Sequence, residues 1–220
     1  MNEPRFRVFE PKEEVRVVQR RLPHWAQAGT ICFITFRSFD SIPKSVMERW
    51  LRERNELLRR HSIDPLAKDW RQQLGELRPE IKAAIDRMTS SRWHENLDAC
   101  HGACVLRQPK LAKIVADSLH KFDMERYELT DFVVMPNHVH LLAAFPDDDA
   151  MLKQCESWKH YTAREINRAL GRMGRFWEQD AFDQLVRSLD QFEYLRKYIA
   201  ENPHKANLKS GGYIHYSKPI

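Results

Sequence analysis

Two histidines, His138 and His140, stand one residue apart inside the apolar stretch VVMPNHVHLLAAF, residues 133–145. Such a stretch suits a strand in the middle of a sheet, where side chains alternate faces with a period of two. His138 and His140 then point to one side, while Val139 and Leu141 point to the other. Imidazoles in apolar surroundings must offset their desolvation by coordination or hydrogen bonding. A lone buried histidine is usually a satisfied core residue. A same-face pair favours a metal ion, for which neutral imidazole is the commonest ligand. Two ligands do not complete a site, so a third donor is expected from elsewhere in the chain.

KYIAENP, residues 197–203, offers one. Tyr198 and Asn202 are four apart and share a face of a helix one turn from each other. The amide oxygen of Asn202 is a hard ligand suited to Mg²⁺ or Mn²⁺, and a phenol beside an ion is a candidate nucleophile. The bland alternative packs the Tyr198 ring into the core and leaves Asn202 merely to end a helix before Pro203. Tyr161, in KHYTARE, is a rival nucleophile, because Glu165 four residues later could also bind an ion. Cys100 and Cys104, in CHGAC, could share a helical face. A structural zinc site takes four ligands and no second cysteine pair exists, so they read as incidental thiols.

The elements that must position these groups can be read from periodicity and punctuation. TICFITFRS, residues 30–38, is β-branched and aromatic and reads as a strand. From Val46 to about Met88 helix formers dominate. A helix is expected from about Pro109 to Phe122, and strands from about Tyr127 to Met135 and from about His138 to Phe145, joined by a turn at Pro136 and Asn137. A further helix from about Met151 to Leu170 ends in glycines suited to its C-cap. RFWEQDAFDQLVRS contains a short strand, and LDQFEYLRKYIAEN a last helix stopped by Pro203. Setting the helical block aside, the order is the split βαββαβ of an α+β, ferredoxin-like fold with an antiparallel sheet and one appended helix. The 220 residues suit a single domain, with residues 1–28 as an N-terminal extension and about 43–100 as a helical insertion.

Composition narrows the partners. No apolar run approaches the roughly 20 residues that span a bilayer, and the charged N-terminus is not a signal peptide, so a cytoplasmic location and no membrane partner are expected. Four scattered cysteines fit a reducing compartment. The net charge of +5 permits a polyanionic partner. Residues 159–175, KHYTAREINRALGRMGR, hold five Lys and Arg against one acid. Single strands are held by basic grooves and by aromatic rings on which bases stack. Trp158, Lys159, Tyr161, Arg164, Arg168, Arg172 and Arg175 are the candidate DNA-facing set, with Phe176 and Trp177 beside it. The structural alternative makes Trp158, Phe176 and Trp177 core and the arginines a solvated face.

Four motifs in order, VVMPNHVHLL, SWKHYTAREINR, GRFWEQDAFDQLVRS and LRKYIAENPHKANL, resemble the single-tyrosine HUH nucleases and transposases, and among them the REP-associated tyrosine transposases. The resemblance runs from about Thr30 to Leu208. It implies a ferredoxin-like fold, a divalent cation (Mg²⁺ or Mn²⁺) on His138, His140 and Asn202, and Tyr198 as nucleophile toward a phosphodiester of single-stranded or hairpin DNA. It decides for Tyr198 over Tyr161. The block between Pro43 and about Cys100 is longer than in compact members of that family, and the chain ends at GGYIHYSKPI, where relatives often continue. Two alternatives stay open: a hairpin-binding protein of the same fold that does not cleave, and a metal phosphodiesterase that uses water. Nothing in the sequence decides between a monomer and a homodimer.

Overall fold

The structure, a computed structural model, describes residues 6–13, 16–19, 23–179 and 181–219. The chain divides into two compact units, Met1–Ser41 with Ala103–Ile220, and Ile42–Gly102. In the larger unit a five-stranded antiparallel sheet carries the architecture. Its members are β3 (Ile31–Arg37), β4 (Glu128–Val134), β5 (His138–Ala144), β6 (Phe182–Leu185) and β7 (Ile214–Ser217), in the order β6-β3-β5-β4-β7. The two short strands β1 (Arg16–Gln19) and β2 (Pro23–Ala26) pair separately with each other. The helices of this unit are α4 (Pro109–His120), α5 (Asp148–Ala169) and α6 (Leu189–Lys205).

Strands β3, β4, β5 and β6 with α4 and α5 reproduce the split βαββαβ order expected from the sequence, and the sheet is antiparallel as expected. Two features were not anticipated. The N-terminal extension contains the β1–β2 pair, and the C-terminal GGYIHYSKPI supplies β7, which pairs with β4 through Asp131 to Ser217 and Val134 to Ile214. The last helix also runs past its expected stop. Pro203 lies inside α6, and the helix continues because Ala206 N donates to Asn202 O, while Leu208 N donates to Pro203 O at its end. Pro203 has no N–H and so forfeits the ladder bond to the Ile199 carbonyl.

Alternation along the strands gives the sheet two different apolar faces. Cys32, Ile34, Phe36, Leu129, Phe132, Val134, Val139, Leu141 and Ala143 line one, against α4 and α5. α5 presents Met151, Cys155, Trp158, Thr162 and Ile166 at helical spacing, all buried. The other face carries Ile31, Phe33, Val133, Leu142 and Ala144, covered by Phe192, Leu195 and Ile199 of α6. The smaller unit has its own helices, α1 (Lys44–Arg60), α2 (Trp70–Glu76) and α3 (Pro79–Asp98), around Leu58, Ile63 and Ile85.

A polar chain crosses the α4/α5 face. Tyr127 Oη donates to Leu119 O at 2.7 Å and accepts from Trp158 Nε1 at 3.4 Å; Trp177 Nε1 donates to Thr162 Oγ1 at 2.8 Å. Desolvation, the first cause, raises the Tyr127 pKa above its ordinary value. The neutral phenol is therefore favoured in the folded state, and its contribution to stability is present below the unfolded pKa and declines as pH rises through the alkaline range. Tyr127→Phe is expected to cost about 1–3 kcal/mol in urea unfolding at pH 7, because it strands a buried carbonyl and an indole N–H. The same melts should show the wild type, and not the variant, losing extra stability above about pH 10.

Candidate functional site

β5 brings the histidines to the α6 face. In the β3–β5 register Thr35 lies opposite His140 and Arg37 opposite His138, and in β4 Val133 lies opposite His140. Both imidazoles are fully buried, and their ring centroids are 4.6 Å apart at 71°. His138 Nδ1 is 2.8 Å from Asn137 Oδ1, and His140 Nδ1 is 2.7 Å from Thr35 Oγ1. A carboxamide oxygen only accepts, so His138 carries its proton on Nδ1 and its lone pair on Nε2. His140 takes the same tautomer when its Nδ1 donates to Thr35. Orientation of a ligating ring through its second nitrogen is the usual support of a metal-binding histidine.

α6 supplies the other members. Ser188 caps it, its Oγ accepting from Gln191 N, and the buried stripe Phe192, Leu195, Ile199, Asn202 and Pro203 seats it on the sheet. Tyr198 is half-buried, with its ring 6.1 Å from Phe33, edge-on, and 5.3 Å from His140. Its Oη lies 3.4 Å from His140 Nε2, and Asn202 Nδ2 donates to the same oxygen at 3.2 Å. Asn202 is fully buried, and Lys205 Nζ stands 5.2 Å from the centroid of the Tyr198 ring. His138, His140, Tyr198 and Asn202 are thus adjacent, although 64 residues of sequence separate the first from the last.

Tyr161 is elsewhere. It is 42% exposed on α5, on the sheet face opposite the histidines. Among the candidate DNA-facing residues, Trp158 needs correction: it is only 1% exposed, because position 158 falls on the stripe of α5 that packs against Tyr127 and Phe145. Its indole cannot stack on a base. Phe176 and Trp177 are core as well. Tyr161, Arg164 and Arg168 form an exposed stripe, with Arg164 5.8 Å from the Tyr161 ring centroid and Arg164 and Arg168 both bonded to Glu165. Lys159 Nζ donates to Gln179 O, Arg172 bonds Asn167 and lies over Phe176, and Arg175 pairs with Glu178.

Residues 106–202 match the model of a family described as Transposase IS200 like, a span containing both histidines, Tyr198 and Asn202. Over that span the chain is similar to the IS200-like transposases. Among solved structures, a REP-associated tyrosine transposase bound to a REP hairpin aligns with 14% identity and a TM-score of 0.41, over 81% of this chain and 69% of that one. No curated protein matches.

Sequence reasoning missed Thr35 and Asn137, which fix the imidazoles. Asn137 was read only as a turn residue, and Thr35 gains meaning only once the strand register is known. The exposed and buried members of α5 separate by a simple measurement. Trp158→Ala should cost about 3–5 kcal/mol in urea unfolding, whereas Arg164→Ala and Arg168→Ala should each stay within about 0.5 kcal/mol of wild type.

Proposed function

We propose that this chain is a tyrosine transposase or nuclease of the HUH kind, cutting and rejoining single-stranded DNA next to hairpins, in one transposase-like domain with residues 43–100 as an insertion. The observation that carries this is the adjacency of Tyr198 Oη to His140 Nε2 and Asn202 Nδ2 on the face that also holds His138. The family match over residues 106–202 supports the same class of enzyme.

The donor set fits a divalent cation. Two oriented imidazoles and the carboxamide oxygen of Asn202 make a neutral, nitrogen-rich set, better matched to Mn²⁺ than to Mg²⁺ in softness, while Mg²⁺ remains usable with added water ligands. Bound there, the ion would polarise the scissile phosphate as a Lewis acid. The remaining work belongs to the chain. Asn202 and the Phe33 ring hold the phenol, and the apolar floor of Val133 and Leu142 limits water beneath it. Tyr198 Oη attacks phosphorus, the bond to the 3′ oxygen breaks, and the proton lost by the phenol is balanced by one gained on the departing 3′ oxygen. The products are a 5′-phosphotyrosine and a 3′-OH. A second 3′-OH reverses the step on a new partner, so rejoining needs no nucleotide cofactor.

Tyr161, Arg164 and Arg168 are proposed to meet the DNA backbone and bases on the α5 side, with Lys159, Arg172 and Arg175 adding charge along the same helix and the turn after it. Contacts of this kind weaken as salt rises. A non-cleaving hairpin binder predicts tight, metal-independent binding without a covalent product, and a water-using phosphodiesterase predicts turnover in Tyr198→Phe.

The test is a denaturing-gel assay for a covalent adduct between purified protein and labelled hairpin DNA carrying single-stranded flanks, in Mn²⁺ or Mg²⁺. Wild type and Tyr161→Phe should form the adduct, and Tyr198→Phe should form none. His138→Ala and His140→Ala should each weaken Mn²⁺ binding at least tenfold by titration calorimetry. An adduct that survives Tyr198→Phe would sink this reading.

A further inference from the structure

We propose that Arg196 is a positioning residue for Tyr198, acting through Asp131 and the C-terminal strand β7, a role that rests on the function proposed above. Arg196 Nε lies 3.2 and 3.1 Å from the two carboxylate oxygens of Asp131, and its Nη2 donates to Ser217 Oγ at 2.9 Å and to Lys218 O at 2.8 Å. Ser217 Oγ in turn donates to Asp131 Oδ1 at 2.6 Å. Arg196 also lies over the Phe192 ring, 5.6 Å from its centroid, with Glu193 at 3.8 Å. The Asp131 side chain is 1% exposed and that of Arg196 20%.

Three observations give this pair a purpose beyond stability. First, a bulge in β4 lets Leu129 and Asp131 face opposite sides of the sheet. Leu129 pairs with Ala143 and Asp131 with Leu142, so Thr130 is the extra residue, and the alternation of β4 is reset between them. Without the bulge the two would share one face, and either Leu129 would leave the α4/α5 core or the carboxylate would enter it. Bulges re-aim side chains in this way. Second, Arg196 and Tyr198 are two apart on α6, so about 200° of helical turn separates them. Arg196 ties one flank of the helix to β4 and β7, and Tyr198 leaves the other flank toward β5 and Phe33. A helix held on one flank by a fork of charge-assisted bonds resists rolling about its axis, the motion that would carry the phenol away from His140. Third, Asp131 and Ser217, which accept three of the four hydrogen bonds of the guanidinium described above, are strand residues paired with each other, so the clamp refers the helix to the same sheet that holds the histidines.

Burying one charge without the other is strongly destabilising. The test therefore compares Arg196→Gln with the double variant Asp131→Asn/Arg196→Gln, which removes both charges, and with Arg196→Lys, which keeps the ion pair but loses the fork. Val115→Ala, on the α4 face, serves as a control that loosens the core elsewhere. Tyrosine nitration followed by peptide mass spectrometry, without DNA or metal, reads the position of Tyr198 against Tyr194, which is 67% exposed on the same helix. The nitration ratio of Tyr198 to Tyr194 should rise at least fivefold in Arg196→Gln and in the double variant, by less in Arg196→Lys, and not at all in Val115→Ala. The adduct-forming rate at saturating hairpin should fall about 10- to 100-fold in the double variant, since a misplacement of about 1 Å costs that much, while hairpin and Mn²⁺ dissociation constants stay within twofold. An unchanged nitration ratio overturns the clamp, as does a rise of the same size in Val115→Ala. A raised ratio in a protein whose wild type forms no adduct upholds the clamp and overturns only the cleavage chemistry.

Discussion

The register of β5 against β3 and β4 is the constraint on which the site depends. Because the side-chain period is two, a slip of one residue would turn His138 and His140 into the α4/α5 core and bring Val139 and Leu141 to the α6 face. That exchange is opposed twice. The Val139 and Leu141 side chains would leave an apolar core in which they are fully buried, and two imidazoles would enter one that offers them no Thr35 or Asn137. Packing on the α4/α5 face thus fixes the two imidazoles on the other, and the burial of Phe36, Phe132 and Leu119 contributes to their placement without touching them.

α6 has to be held to the same standard of placement as the strands, because it contributes two of the four adjacent groups. A stripe of Phe192, Leu195 and Ile199 fixes its height above the sheet but little of its roll, since apolar contacts have no direction. Direction comes from polar contacts on each flank: Tyr198 to His140 on one, Arg196 to Asp131 and β7 on the other. The C-terminal strand therefore does more than widen the sheet. It completes the shell of acceptors around a guanidinium that sits one short step of helix from the phenol.

Much of this was legible in the sequence where the signal is local. The alternation in residues 133–145 places both histidines on one face, and the four-residue step from Tyr198 to Asn202 places both on one helical face. The order of elements suffices for the split βαββαβ topology. What stayed hidden depends on pairing between distant segments. Thr35 and Asp131 are ordinary strand residues until the register and the bulge at Thr130 are known. β7 is four residues long, flanked by Gly211, Gly212 and Pro219, and too short to announce itself. Trp158 stands beside the basic Lys159 and near Arg164, yet its burial follows from spacing with Met151, Cys155, Thr162 and Ile166.

The division between the two sheet faces also bears on how DNA could be handled. The exposed stripe of Tyr161, Arg164 and Arg168 lies on the far side of the sheet from His138 and His140, separated from them by a layer of helix and a layer of strand. A strand bound along α5 must therefore pass an edge of the sheet to reach Tyr198. One edge is β6, four residues long, and the other is β7, which takes part in the Arg196 network. A duplex hairpin stem is too stiff to make that turn, and a single strand is not. Under the function proposed above, this separation would suit a substrate with both parts, a structured element held at one surface and a flexible flank delivered to the other.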